Sequence, residues 1–174
     1  LYGVVKHPMP LREDFTIDPT DYWTADETCF IANPNAPTGI ALPVKDIEEI
    51  LRRNPDNVVV VDEAYVDFGG VSSLSLLEKY DNLLVVQTFS KSRSMAGLRI
   101  GFCIGSEKMI KYLNDVKFSI NSYTMNMPSQ VMAVEAVRDD AYFKSVTEKI
   151  IATRERVKKE MAELGFTFPD SKTN

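Results

Sequence analysis

The sequence has few of the residues that bind metal ions or form disulfides. Its 174 residues include 1 His and 2 Cys. Cys29 and Cys103 lie far apart within apolar stretches, and no Cys or His residues have the spacing of zinc ligands. We expect both cysteines to be buried, reduced thiols of a cytoplasmic protein. The single His7 precedes Pro8 and is assigned no function.

Long apolar runs and excess positive charge are also missing. The run Val58–Val61 is far shorter than the roughly 20 residues of a membrane helix, and no segment resembles a secretory signal. A net charge of −5 argues against a protein that binds nucleic-acid phosphates. With 44% apolar and 26% charged residues, the composition fits a globular domain and excludes a disordered tail. The first residue is Leu1, not Met, so we expect a piece of a longer protein.

Short apolar runs alternate with segments of helical periodicity along most of the chain. This alternation predicts an α/β fold with a mostly parallel sheet flanked by helices. Four consecutive valines at Val58–Val61 predict a strand buried on both faces. The other predicted strands are Val4–Val5, Cys29–Ala32, Leu83–Val86 and Arg99–Ile104, and helical segments are predicted at 18–19, 43–54, 73–79, 107–116, 128–137 and 141–164.

The last of these helical segments marks a predicted boundary. Its apolar residues recur every three, four or seven positions, which is typical of one helix longer than most. Gly165 is a natural end for that helix, and strand-like residues follow it. We therefore expect residues 1–164 to belong to one domain and residues 165–174 to begin another.

Polar segments follow three of the predicted strands at the point where each ends. Ligands of open parallel sheets bind at this edge. The set offers an amine, a carboxylate, a phenol, hydroxyls and a guanidinium, which suits an anionic ligand with a basic ring nitrogen and an electrophilic carbon. No phosphate-binding glycine loop follows a strand, so nucleotide binding is not indicated. The segments are Asn33–Gly39, Asp62–Tyr65 and Gln87–Ser92, followed by Arg99 between Gly97 and Gly101.

Each candidate residue also has an ordinary structural interpretation. An aspartate can cap a turn, a lysine is usually solvated, and an arginine often forms a structural ion pair. Threonine and serine are common in turns, and a tyrosine is often half-buried packing. The joint pattern favours a binding site over these separate interpretations. The residues concerned are Asp62, Tyr65, Thr88, Ser90, Lys91 and Arg99.

These segments resemble fold-type I pyridoxal-phosphate aminotransferases. The eight-residue spacing from Lys91 to Arg99, the phrase Val61–Tyr65 and the segment Asn121–Tyr123 are most similar to the histidinol-phosphate branch of that family. The resemblance covers essentially the whole chain. It implies the aspartate-aminotransferase-like fold, with residues 1–164 as part of the large, cofactor-binding domain and residues 165–174 as the start of the small domain.

The resemblance also implies a role for each candidate residue. Lys91 corresponds to the catalytic lysine that binds pyridoxal 5'-phosphate covalently. Asp62 corresponds to the partner of the ring nitrogen, and Tyr65 to the partner of the ring oxygen. The family's phosphate-binding groups correspond to Thr88, Ser90 and Arg99. The sequence departs from the family at Ala36, where an asparagine usually contacts the ring oxygen; Asn35 lies one residue earlier.

The implied activity is transfer of the amino group of histidinol phosphate to 2-oxoglutarate in L-histidine biosynthesis, by a cytoplasmic homodimer. Decarboxylation of threonine phosphate and transamination of another amino acid are the alternatives within the same chemistry. A third alternative is that this chain alone is a non-catalytic subdomain that binds no cofactor. No metal, nucleic acid or membrane partner is expected.

Overall fold

A four-stranded sheet organises the structure, a computed structural model that describes residues 3–174. The strands lie in the order β1-β2-β3-β4. The first three run parallel, and β4 is antiparallel to β3. The predicted mostly parallel α/β sheet is therefore confirmed, although apolarity alone did not predict the direction of the last strand. The strands are β1 Cys29–Ala32, β2 Val59–Asp62, β3 Leu83–Thr88 and β4 Gly101–Gly105.

Four α-helices flank the sheet, and each falls on a predicted helical segment. Their bounds are α1 Val44–Arg53, α2 Glu107–Ile120, α3 Met127–Arg138 and α4 Asp140–Glu163. Short 3-10 helices occupy Pro19–Tyr22, Val66–Phe68, Ser73–Leu76 and Ala96–Leu98. The predicted helix at 73–79 is thus a single 3-10 turn, capped by the Ser72 hydroxyl.

Two strand predictions need correction. Val4 and Val5 form no strand and are 70% and 73% exposed. The valine strand is buried on one face instead of two, since Val59 and Val61 are fully buried whereas Val60 is half-buried. The prediction failed because an unbroken apolar run shows that both faces can be covered, but not that this chain covers both.

One face of the sheet, which we call the covered face, carries the hydrophobic core. Successive strand residues point to opposite faces, so alternate positions of β1, β2 and β3 lie under α1. Three α1 residues, Ile47, Ile50 and Leu51, are fully buried against them. The core residues of the strands are Cys29, Ile31, Val59, Val61, Leu83 and Val85.

The opposite face, which we call the open face, is covered much less. Phe30 is 70% exposed there, and the neighbouring Val60 and Val86 are half-buried. Helices α2 and α3 bury little of their own apolar surface, with Ile120 of α2 and Met127 of α3 about as exposed as Phe30. None of the helices in residues 3–174 combines the length and hydropathy needed to cross a membrane.

The segment after α4 folds back onto the sheet edge. Arg154 of α4 donates to the carbonyl oxygens of Phe68 and Thr173 at 2.6 and 2.9 Å. Gly39 has a φ of +73°, and an added Cβ would lie 2.1 Å from the Ser171 hydroxyl, so only glycine fits there. Residues 166–174 form no regular element. The assignment of a second domain from residue 165 stays a prediction.

Both cysteines are free thiols, and the prediction that both are buried is confirmed for Cys29 but wrong for Cys103. Cys29 is buried, and burial raises the pKa of its thiol because the charged thiolate loses solvation. Cys103 of β4 is only half-buried.

Candidate functional site

The structure brings the predicted site residues to one edge of the sheet. Asp62 is the last residue of β2 and pairs in register with Ala32 of β1 and Val86 of β3. Thr88, the last residue of β3, lies two residues beyond Val86 and therefore on the same face. Side chains that leave neighbouring strand ends on one face lie close together, so Asp62 and Thr88 share the edge of the open face.

Asp62 is an exposed carboxylate with a fixed orientation. Its Oδ1 accepts a hydrogen bond from the backbone N–H of Ala64 at 3.0 Å. This short turn leads directly to Tyr65, which is half-buried and precedes the 3-10 helix Val66–Phe68. Within residues 3–174 the Asp62 carboxylate forms no ion pair, so it is available to a cationic partner.

Lys91 reaches back across this edge toward Tyr65. Its Nζ lies 4.8 Å from the centroid of the Tyr65 ring, within range of a cation–π contact. The two residues come from the turns that follow β2 and β3, so the fold joins segments that are distant in sequence. Lys91 is exposed, and in the part of the chain that the structure describes its amine has no carboxylate partner.

The loop between β3 and β4 has a strained backbone around Arg99. Ser94 and Arg99 both have φ near +55°, a left-handed conformation that non-glycine residues seldom adopt. Such strain persists only where surrounding contacts hold it, and it is frequent at functional sites. The Arg99 guanidinium is exposed, and one of its N–H groups donates to the Ala96 carbonyl oxygen at 2.9 Å. Most of its donors remain available for an anion.

Thr88 and Ser90 occupy different positions in this loop. The Thr88 hydroxyl donates to the Ile100 carbonyl oxygen at 3.2 Å and accepts from the Ser90 N–H at 3.1 Å. Thr88 therefore shapes the turn that follows β3, in which Ser90 lies. Among the residues that the structure describes, the Ser90 hydroxyl makes no hydrogen bond, so it is the freer of the two donors.

Helices α3 and α4 contact the loop between β3 and β4. The Arg93 guanidinium lies 4.0 Å from the ring centroid of Phe143 and donates to the Ala136 carbonyl oxygen. Ser129 of α3 is buried, and its hydroxyl donates to the Leu98 carbonyl oxygen at 3.2 Å. These contacts link α3 and α4 to the loop that carries Lys91 and Arg99.

The segment Asn33–Gly39 borders the edge on the side of β1. Asn33 is buried, and its side chain exchanges two hydrogen bonds with the backbone of Leu42. Asn35 donates from Nδ2 to the Thr38 hydroxyl at 2.9 Å, and Ala36 is exposed. Asn35, which lies beside the position where the resemblance implies an asparagine, thus uses its amide within its own turn.

Two polar side chains that connect segments of the site were not predicted from the sequence. Glu63 is 2% exposed, and its carboxylate accepts from Gln87 at the end of β3. The Ser92 hydroxyl donates to Asp67 and so joins the Lys91 turn to the Tyr65 turn. Strand alternation contained the signal for Glu63, because positions 59, 61 and 63 share the covered face.

Comparison with known proteins places this geometry in a family. The family described as aminotransferase class I and II matches residues 1–174. A histidinol-phosphate aminotransferase of Brachyspira hyodysenteriae is 52% identical over 175 residues, which is 100% of this chain and 49% of the relative. One of Lactococcus lactis subsp. cremoris is 50% identical over 174 residues with the same coverage. The chain spans about half the length of the curated relatives it matches.

A solved structure agrees in fold. The histidinol-phosphate aminotransferase of Sinorhizobium meliloti, determined in complex with pyridoxal-5'-phosphate, matches with a TM-score of 0.84 and 25% identity over 97% of this chain and 47% of that one. The predicted resemblance is confirmed at the level of sequence and of fold. Since the family matches from the first residue to the last, this chain belongs to the class I and II aminotransferases.

Proposed function

We propose that the protein to which this chain belongs is a pyridoxal-phosphate-dependent aminotransferase that acts on histidinol phosphate. The observation that carries the proposal is the Lys91 amine 4.8 Å from the Tyr65 ring, at the sheet edge where β2 ends in Asp62. The choice of histidinol phosphate as substrate is supported by the names of the relatives, which are about 50% identical in sequence. The amino group would pass to 2-oxoglutarate, so histidinol phosphate becomes a ketone and the keto acid an amino acid.

The chemistry of the donor set fits pyridoxal 5'-phosphate. The cofactor has a carbonyl carbon that an amine can attack, a ring nitrogen that a carboxylate can keep protonated, and a phosphate that needs hydrogen-bond donors. Lys91, Asp62 and Arg99 supply these three groups from neighbouring turns. When bound, the cofactor serves as the electron sink for the pair left on the substrate carbon.

Lys91 has two tasks in this proposal. Its Nζ would hold the cofactor through its carbonyl carbon, with loss of the carbonyl oxygen as water, until the substrate amine replaces it. Once freed, the same amine would take the proton from the substrate carbon that carries the amino group, acting as the general base. The Tyr65 ring would limit where the Lys91 amine can move. The Tyr65 hydroxyl would hydrogen-bond the oxygen carried by the cofactor's ring.

Asp62 and the β3–β4 loop would orient the ring between them. The Asp62 carboxylate, fixed by its bond from Ala64 N–H, would hold the proton on the ring nitrogen through a charge-assisted hydrogen bond. Ser90 and Arg99 would bind the phosphate directly. Thr88 would act mainly by holding the turn, because its hydroxyl is already bonded to Ile100.

We further propose the domain and assembly assignments that the resemblance implies. Residues 1–164 would form the second half of the large domain, and residues 165–174 would begin the small one. A cytoplasmic homodimer is the proposed assembly, and the apolar surface of α2 and α3 supports an extensive contact with more protein. We further propose that the chain on its own binds the cofactor weakly or not at all, since it spans about half the length of the relatives it matches.

The test is amino transfer by the full protein. Histidinol phosphate should be the best donor to 2-oxoglutarate when compared with aromatic amino acids, and threonine phosphate should release no carbon dioxide. Lys91→Ala should lower the rate by at least about a thousandfold, since it removes both the attachment point and the base. Lys108→Ala, which removes an exposed lysine of α2, is the matched control and should leave the rate unchanged.

Three results would contradict the proposal or part of it. Turnover retained in Lys91→Ala would overturn the assignment of the catalytic residue. Release of carbon dioxide from threonine phosphate would replace the transferase by a decarboxylase. A better donor than histidinol phosphate would keep the chemistry and change the substrate.

A further inference from the structure

Glu63 is a buried carboxylate to which the proposed mechanism assigns no task. It is 2% exposed and accepts three hydrogen bonds. Its Oε1 accepts from the Ser73 N–H at 2.6 Å, and its Oε2 accepts from the Ser72 hydroxyl at 2.7 Å and from Gln87 Nε2 at 3.0 Å. Within residues 3–174 it forms no ion pair, so these donors alone offset the loss of solvation.

Those three bonds join three separate segments of the site's support. Glu63 itself follows Asp62 at the end of β2. Ser72 and Ser73 close the loop that carries Tyr65. Gln87 precedes Thr88 at the end of β3, four residues before Lys91. A single carboxylate therefore holds the two strand ends and the loop together from the covered face, beneath the groups on the open face.

A second bond joins the same two turns further out. The Ser92 hydroxyl donates to the Asp67 carboxylate, although Ser92 is buried and Asp67 exposed. The Glu63–Gln87 bond and the Ser92–Asp67 bond therefore lie on either side of the contact between Lys91 and Tyr65 in sequence. The buried one has the larger consequence, because a buried donor or acceptor that loses its partner keeps the full cost of desolvation.

We propose that Glu63 is a positioning residue for the cofactor site: its carboxylate fixes the spacing between the Asp62–Tyr65 turn and the Lys91 turn. It acts through Ser72, Ser73 and Gln87 and touches no reacting atom. The inference rests on the proposed function, since the spacing it fixes matters for a ligand held by Asp62 and Lys91 at once.

A carboxylate is required at this position because all three partners donate. Replacement by glutamine gives one acceptor oxygen and one NH2 group in the same volume. If the oxygen faces the Ser73 N–H, the NH2 group faces the Gln87 amide, and donor meets donor until one amide turns over. Rotation of the Gln87 side-chain amide would then weaken the contact that holds the end of β3.

The experiment compares variants of the full protein by cofactor affinity and by stability. Glu63→Gln should raise the dissociation constant for pyridoxal 5'-phosphate about tenfold, measured by the visible absorbance of the bound cofactor well below the melting temperature. Gln87→Leu removes only the bond to β3 and should shift the constant in the same direction. Glu48→Gln, the same chemical change on α1, is the control and should stay within about twofold.

The outcomes separate this inference from the proposed function. If wild-type protein binds no pyridoxal 5'-phosphate, the proposed function fails and the inference with it. If wild type binds it, and both Glu63→Gln and Gln87→Leu bind equally well, Glu63 is not a positioning residue. A lower melting temperature with unchanged affinity would show a structural role only, and it also overturns the inference. Should Glu63→Gln fail to fold, the Gln87→Leu constant decides alone.

Discussion

The covered and the open faces of the sheet differ in how completely this chain encloses them. Beneath α1, side chains such as Val59 and Leu83 have no exposed surface. On the open face Phe30 of β1 is 70% exposed, and Ile120 of the helix α2 is exposed to the same extent. The difference shows that the strands beneath the candidate site are tightly packed on the covered face, whereas apolar surface elsewhere in the chain stays exposed.

The site itself follows the same division. Asp62 and Thr88 stand at the edge of the open face, and Glu63 and Gln87 lie beneath them on the covered face. A ligand that binds the open edge is therefore held by groups attached to a tightly packed layer. Rigid support of this kind lets a few polar side chains keep a fixed geometry.

The largest expected effect comes from matched truncations at a buried position of α1 and an exposed position of α2. Ile50→Ala in α1 leaves a cavity in the core and should lower the free energy of unfolding by about 2–5 kcal/mol. Ile120→Ala in α2 makes the same change at a 70% exposed position and should cost less than about 0.5 kcal/mol. Denaturant unfolding of this chain measures both.

The substitutions Ile50→Ala and Ile120→Ala should also be measured in the full protein. If further protein covers the exposed surface of α2, Ile120→Ala should become costly there while Ile50→Ala keeps its effect. Equal costs for the two substitutions in this chain alone would show that the two sides do not differ as described.

A smaller effect is expected from two glycines. An added Cβ at Gly105 would lie 2.6 Å from Leu84 Cδ2 and 3.1 Å from the Leu83 carbonyl oxygen. Gly105→Ala should therefore destabilise the β3–β4 pair by about 1–3 kcal/mol. Gly97→Ala, with no atom within 4 Å of the added carbon, is the control and should change the melting temperature little. Identical melting temperatures for the two variants would contradict the close packing at β4.

The hydrophobic pattern of the sequence predicts some features of the fold and not others. The valine run and the helical periodicities predicted the sheet and all four helices, because burial of one face fixes the period. The coverage of Val60 and the direction of β4 depend on neighbours in space, which a run of apolar residues does not specify. Val4 and Val5 formed no strand because two β-branched residues without a pairing partner are not enough.

The site shows the same limits. Strand ends and residue types predicted that Asp62, Lys91 and Arg99 would share an edge, and the structure brings their turns together. The Lys91–Tyr65 contact and the strained φ of Arg99 depend on the loop's path, which spacing alone does not give. Glu63 lies next to Asp62 in the Val61–Tyr65 segment, and strand alternation places it on the buried face, but residue type alone does not show which donors it meets there.

The smallest expected effect concerns acid stability at the edge of the covered face. Hydrogen bonds from the Thr20 hydroxyl and N–H, with Arg12 beside them, lower the pKa of Asp18 from 3.8 to about 2. A lowered folded-state pKa stabilises above the unfolded pKa, and this contribution is lost as pH falls through the folded one. Stability should thus decline between about pH 4 and pH 2.

The substitution Asp18→Asn tests this decline. It keeps a capping oxygen and removes the titration, so the fall in denaturation midpoint over that pH range should become shallower. An unchanged slope in the variant would show that Asp18 does not contribute to acid sensitivity.

Whether Lys91 binds the cofactor covalently is tested most directly by mapping the lysine that carries it. The full protein is incubated with pyridoxal 5'-phosphate, treated with sodium borohydride to make the bond to a lysine amine permanent, digested, and mapped by mass spectrometry. We expect the added mass on the peptide containing Lys91, and its loss in Lys91→Ala. Labelling of another lysine, or of none under conditions where the enzyme is active, would contradict it.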